Sequence, residues 1–272
     1  FLRNYMFNII VPLIVGIVVC LIALSAICRH AEAMAEASLR NAAVRIDQQL
    51  AQLINTARYV AESNDTKRLA LLDESMHSEY YHRMAAYTRK LYTLANANDE
   101  QLAQVYVFWM KNEKVATSVT SYDYSSFYPY FFGISGMDSD QFRRFLTRTA
   151  GEARFETGLT ATVRTTHIST GSVPMMVYPF AVSKLSRADG CVLILLNRAW
   201  LAAEISPLVS GSRSWTALVD AQGLVIVEEG GLDLPSSHTP ASLAALPVHS
   251  RVAGHKVIHT PVKAAGWRIV AS

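Results

Sequence analysis

An α+β fold is predicted, in which one long N-terminal helix carries two antiparallel-sheet modules. Three observations predict it. The first is an uncharged run from Asn4 to Cys28, bracketed by Arg3 and Arg29. The second is a three-four spacing of apolar residues that continues beyond Arg29. The third is the change after Asn96 to short β-branched and aromatic runs separated by Gly, Asn and Asp turns.

The opening run suits a membrane span. At about 1.5 Å per residue, a helix of this length crosses a hydrocarbon core of roughly 30 Å. It also satisfies its own backbone hydrogen bonds, as lipid requires. A signal peptide has a shorter apolar core, of about 7–15 residues, although Ala31-Glu32-Ala33 would suit cleavage. Ile27 is bulky for a lipoprotein signal at Cys28, and Pro12 and Gly16 are tolerated in membrane helices. Residues 1–29 are therefore read as a transmembrane helix and the lipid bilayer as a partner. The flanks, Arg3 before the span and Arg29, Arg40 and Arg45 after it, would by the positive-inside rule favour the body inside.

Leu39, Ala43, Ile46, Leu50, Leu53, Ala57 and Val60 continue the helix as a heptad seam. Two readings are open: packing on the chain's own sheets, or a homodimer through this stalk near the membrane, and the two can coexist. A second helix is expected from Asp73 to Asn96, with Met76, Tyr80, Met84, Tyr87, Leu91 and Leu94 on its apolar face. Gln104–Met110 and Val115–Thr120 read as a hairpin across Lys111–Lys114. An aromatic loop follows, with Tyr122, Tyr124, Phe127, Tyr128, Tyr130, Phe131 and Phe132, and then Asp138-Ser139-Asp140 caps a short helix. Strands are expected at Thr160–Ile168, Val173–Val182 and Gly190–Asn197, with Gly171-Ser172 and the turn from Arg187 to Gly190 between them, and a brief helix at Trp200–Ile205. These elements, over residues 30–209, form the larger, membrane-distal module. A smaller, proximal one over residues 210–272 begins near Ser210-Gly211-Ser212. Its strands are Trp215–Asp220, Leu224–Glu228, Val248–Val252, Lys256–Pro261 and Trp267–Val270. Gly223 suits a left-handed turn position, and Leu234 to Pro247 is a loop.

The chemistry is sparse. A net charge of +3 with scattered Lys and Arg does not make a basic footprint, so no nucleic acid is expected to contact this stretch. Cys20, Cys28 and Cys191 read as small apolar residues, not as a disulfide framework. There is no phosphate-cradling glycine motif, HExxH, CxxC or nucleophile elbow. His255 and His259 lie on a strand pattern, about 13 Å apart at strand rise, and cannot share a metal. No cofactor, metal or enzymatic activity is expected. The aromatic cluster is the remaining candidate. Tyr106 and Phe108 share one strand face and Val105, Val107 and Trp109 the other, so both faces are covered. The aromatic loop could close over Tyr106 and Phe108 as a small ligand pocket, with Tyr122, Asp123, Tyr124, Arg164 and Tyr178 supplying polar groups. An ordinary aromatic core is the competing reading.

The order of elements resembles the extracellular double Cache sensor region, in particular that of membrane-bound AraC-type transcriptional regulators of Gram-positive bacteria. The resemblance rests on Gln104-Val-Tyr-Val-Phe-Trp109, Val173-Pro-Met-Met-Val-Tyr-Pro-Phe180, Gly190-Cys-Val-Leu-Ile-Leu-Leu-Asn197, Leu218-Val-Asp-Ala-Gln-Gly-Leu-Val225 and Gly266-Trp-Arg-Ile-Val270. It implies two PAS-like (Cache) modules outside the cell and an unknown small molecule or surface protein as partner. It also implies a second span and a cytoplasmic DNA-binding output beyond Ser272. Histidine kinases and chemoreceptors use similar ectodomains, and a membrane-tethered hydrolase is the alternative of another class. The amino-acid-binding signature of some double Cache sensors is not recognisable around Tyr122 to Asp140, which leaves the ligand class open.

Overall fold

The structure, a computed structural model, describes residues 2–72, 77–148, 151–164, 169–182, 188–209, 214–231, 250–252 and 255–272. Several expectations fall outside the described residues: the helix start at Asp73, the strand end at 165–168, Arg187 of its turn, the module boundary at Ser210-Gly211-Ser212, the loop Leu234 to Pro247, and the strand start at Val248.

Helix α1 runs unbroken over Leu2–Glu62, 61 residues or about 90 Å at helical rise. Residues 10–35 are all exposed. The apolar window among them has a mean hydropathy of 3.0 and none of it is buried, so this helix is long and apolar enough to cross a membrane. Pro12 sits inside it without ending it.

The heptad seam is buried within the chain. Leu39, Ala43, Ile46, Leu50, Leu53, Ala57 and Val60 are all 6% exposed or less and belong to one cluster with residues of two different sheets. Packing on the chain's own sheets, the first reading of the stalk, therefore holds over the seam from Leu39 to Val60. The seam is occupied by the chain's own sheets, and a second copy could meet α1 only along its exposed face. Two polar contacts fix the docking: Arg45 Nε donates to Glu204 at 2.9 Å, and the Ala264 amide donates to Asp47 Oδ1 at 2.8 Å.

Helices α2 (Asn64–Leu71) and α3 (His77–Ala97) fold back beside α1. Ser63 caps α2 by accepting from the Thr66 amide. Thr66 is fully buried: its hydroxyl donates to Val60 O at 2.6 Å and so must accept from Tyr87 Oη, also at 2.6 Å. Burial pushes the Tyr87 phenol well up, which keeps it a neutral donor. Trp109 Nε1 donates to Thr66 O at 2.9 Å and ties this corner to the first strand.

The larger sheet is antiparallel. In spatial order it comprises β3 (Ser121–Asp123), β2 (Lys114–Thr117), β1 (Leu102–Trp109), β9 (Gly190–Leu196), β8 (Met175–Phe180) and β5 (Arg154–Glu156). Its two central strands, β1 and β9, pair Tyr106 with Leu193 and Val107 with Val192. Because side chains alternate along a strand, Val105, Val107 and Trp109 face α1 while Tyr106 and Phe108 face the other way. A three-stranded sheet, β4 (Phe132–Ile134), β6 (Thr160–Val163) and β7 (Ser169–Ser172), covers that second face together with α4 (Tyr124–Tyr130) and α5 (Ser139–Leu146).

After α6 (Arg198–Ile205) a five-stranded sheet follows. Its order is β11 (Val225–Gly230), β10 (Trp215–Val219), β14 (Trp267–Ala271), β13 (His255–Val262) and β12 (Ser250–Val252). Gly223 has φ 82, the left-handed position expected of it. The Asp220 carboxylate closes the same turn, since its Oδ1 accepts from the amides of Gln222 and Leu224 at 2.9 and 2.8 Å.

Candidate functional site

The aromatic layer lies between the larger sheet and its cover. The stretch expected to be a loop is in part the helix α4. Tyr124, Phe127 and Tyr128 are buried at a three-one spacing, and the ring of Phe131 continues it. Asp138 starts α5 with a capping box: its carboxylate accepts from the Gln141 amide at 2.7 Å, and Gln141 Oε1 accepts from the Asp138 amide at 2.9 Å. That cap aims Phe142, fully buried, into the layer.

Rings fill the space. Phe127 lies 5.3 Å from Tyr106 and 5.8 Å from Phe108, centroid to centroid. Phe132 is 5.5 Å from Tyr106, and Phe142 is 5.8 Å from Phe108 and stacks on Tyr128 at 4.6 Å. Tyr124 Oη donates to Ser139 O at 2.7 Å and Tyr128 Oη to Met137 O at 2.8 Å. Burial pushes the Tyr124 phenol up to about 12 and raises that of Tyr128, so both stay protonated donors at neutral pH. Tyr122 closes one margin with its ring 4.4 Å from Phe131.

The structure separates the residues expected to form one site. Tyr106, Phe108 and Tyr124 are in the layer and Tyr122 is at its margin. Asp123 is exposed on the edge strand β3, where its carboxylate pairs with Lys114 at 2.5 Å. Arg164 extends the parity of Thr160 and Thr162, whereas Ala161 and Val163 point into the layer. It is exposed and lines a shallow depression of about 260 Å³ with Thr160, Thr162 and Ser135 on the outside of the cover. Tyr178 is paired with Val192, which is paired with Val107, so it lies on the α1 face. The sheet itself stands between Tyr178 and the aromatic layer.

One polar residue of the layer escapes a reading of hydrophobic runs. Arg154 on β5 is paired with Val177 and so shares the face of the aromatic layer. Its Nε donates to Glu156 Oε1 at 3.0 Å, and its Nη2 donates to Phe145 O. Its guanidinium carbon sits 5.0 Å from the centre of the Phe145 ring. Nη1 is buried with no acceptor among the described residues. A buried guanidinium N–H without an acceptor is costly, and a carboxylate is its natural partner. Burial pushes the Cys191 thiol far up, opposed by the nearby Arg154 charge, so this cysteine is inert as a nucleophile.

On the far side of the larger sheet, α1 and α3 flank an open groove of about 1330 Å³ lined by Gln52, Asn55, Tyr59, Lys90 and Leu94. Among the described residues no three His, Cys, Asp or Glu side chains gather as metal ligands, and His255 and His259 are on one extended strand, β13.

No protein-family model matches the sequence, and no curated protein matches it. Solved structures do share its fold. The extracellular domain assigned to the histidine kinase vpHK1S-Z8 superposes with a TM-score of 0.55 at 9% identity, over 90% of this chain and 91% of that one. The ligand-binding domain of the Pseudomonas aeruginosa amino-acid chemoreceptor PctC, in complex with GABA, gives 0.50 at 14%, over 89% and 97%. The sensor domain of the V. cholerae histidine kinase DctB gives 0.50 at 13%, over 89% and 97%. The fold is therefore that of Cache-type sensor domains: a long apolar N-terminal helix followed by antiparallel-sheet modules. These neighbours are an extracellular domain, a ligand-binding domain and a sensor domain.

Proposed function

We propose that this chain is the ligand-sensing portion of a bacterial transmembrane receptor. The first half of α1 anchors it, and both sheet modules lie outside the cell. Support comes from the exposed apolar half of α1 and from the extracellular domains that share the fold. The output expected from the sequence, an AraC-type DNA-binding unit, has less support than a kinase or chemotaxis output, because the neighbours belong to histidine kinases and chemoreceptors. The division into a distal module over 30–209 and a proximal one over 210–272 is part of the same reading.

The ligand is a small molecule with a carboxylate, held in the distal module. Tyr106, Phe108, Tyr122 and Tyr124 supply the aromatic wall. Arg154 takes the polar role expected of Arg164, Asp123 and Tyr178. The observation that carries this is the buried Nη1 of Arg154 without an acceptor, at an aromatic layer on the covered face of the larger sheet. Chemoreceptor domains of this fold have been solved with GABA and with L-isoleucine, both carboxylates. The rings are closely packed here, so the ligand must favour a state in which the cover has shifted, and it can do so only through its greater affinity for that state.

Thermal unfolding of the chain in lipid nanodiscs, with GABA, L-isoleucine and other small carboxylates, tests the proposal. A ligand at a hundredfold its Kd stabilises by about 2.7 kcal/mol, a rise of several degrees in Tm. Arg154→Ala is expected to abolish that rise and Arg154→Lys to retain part of it. A rise that survives Arg154→Ala, or one produced equally by the corresponding amines without a carboxylate, contradicts the role of Arg154.

A further inference from the structure

The edge strand β5 touches both ends of the molecule's working parts. Alternate residues on it face opposite ways. Arg154 and Glu156, paired with Val177 and Met175, face the aromatic layer. Phe155, paired with Met176, faces the cluster shared with α1, where its ring meets that of Trp267 edge-on at 5.5 Å. The next residue, Thr157, donates its hydroxyl to Oδ2 of Asp220, which is only 5% exposed. Gly158 follows at φ 72, and a Cβ there would lie 2.8 Å from Leu224 Cδ1, so the strand end is pressed against the β10–β11 turn.

Asp220 uses both carboxylate oxygens. Oδ1 holds the turn through the Gln222 and Leu224 amides, and Oδ2 holds Thr157. Beyond the turn, β10 pairs with β14, with Val219 opposite Arg268 and Thr216 opposite Ala271. Trp215 and Ser272 then exchange backbone hydrogen bonds, at 3.1 and 2.9 Å. A displacement of β5 therefore has a short, bonded route to the strand that leads to Ser272, separate from the α1 seam.

We propose that β5 is the coupling strand of the receptor and that the Thr157–Asp220 hydrogen bond is the joint through which a change at Arg154 reaches the proximal sheet. This rests on the sensor reading above and adds the residues that transmit the signal. Spatial continuity alone does not establish coupling, so the test measures coupling itself.

The test needs no ligand. Amide hydrogen exchange is followed in the whole chain in nanodiscs, comparing the wild type with Arg154→Gln and Arg154→Ala. Either substitution is expected to speed exchange of the Gln222 and Leu224 amides about tenfold, with a smaller increase along β14. Thr157→Val should produce the same acceleration by itself, and adding an Arg154 substitution to it should add nothing. Thr157→Ser, which keeps the hydroxyl, should restore the wild-type pattern. Unchanged exchange at 222 and 224 in both Arg154 variants overturns the proposal, as does full additivity of Arg154→Gln and Thr157→Val. Uniform acceleration throughout the chain in Arg154→Ala would be global destabilisation, and Arg154→Gln then decides. Failure here leaves ligand binding untouched, whereas failure of the carboxylate titration leaves this exchange result standing.

Discussion

Phe108→Ala is expected to lower the unfolding free energy by about 3–5 kcal/mol, the usual cost of deleting a buried aromatic ring. Phe108 is fully buried on β1, and its ring is within 6.2 Å, centroid to centroid, of Tyr124, Phe127 and Phe142. The surrounding rings are held by two separate helices, α4 and α5, so they cannot collapse together into the vacated space, and the cavity cost adds to the lost transfer energy. Urea unfolding in detergent micelles, read as a lower midpoint at unchanged slope, checks it. A loss below about 1 kcal/mol would mean that the layer repacks freely. The layer would then be a soft pocket lining and not a core.

Leu50→Ala ranks with it, at about 2–5 kcal/mol. Leu50 is fully buried in the middle of the α1 seam, in the cluster that includes Met176 and Ile194 of the larger sheet and Trp267 and Ile269 of the smaller one. One side chain deleted there loosens both modules from their common helix. Because the seam is filled from within the chain, the loss should not depend on protein concentration. A loss on Leu50→Ala that itself changes with concentration would place Leu50 between two copies and restore the dimer reading of the heptad.

The heptad itself was plain in the sequence, since a three-four spacing from Leu39 to Val60 dictates one apolar stripe. What covers a stripe is not a local property: sheet and partner helix present the same hydrophobic surface. The central strands were equally legible, because β1 from Val105 onward, β8 and β9 are buried on both faces and read as continuous apolar runs. Short edge elements were not. Arg154–Glu156 and Phe132–Ile134 have three residues each, too few for any period to show. Helix α4 was hidden by composition: aromatic residues and Pro129 suggest strand or loop, while burial at 124, 127 and 128 follows a helix.

Of the candidate site residues, Tyr106, Phe108 and Tyr124 stand together in the aromatic layer, whereas Asp123, Arg164 and Tyr178 stand apart from it. Tyr106 and Phe108 follow from alternation along a single strand. Tyr178 and Arg164 needed strand register and sheet order, which the chain encodes only through pairing partners far away in sequence. Arg154 lay in a stretch with no assigned element, so its face could not be deduced.

The central claim is that the sheet modules lie outside a membrane crossed by the first half of α1. Tyr59, on the continuation of that helix, is 75% exposed. With Cys20 and Cys28 replaced by serine, Tyr59→Cys gives a single accessible thiol, since Cys191 is buried. Labelling intact cells with a membrane-impermeant maleimide should modify this cysteine fully. Labelling only after the cells are permeabilised would put the modules inside and contradict the account.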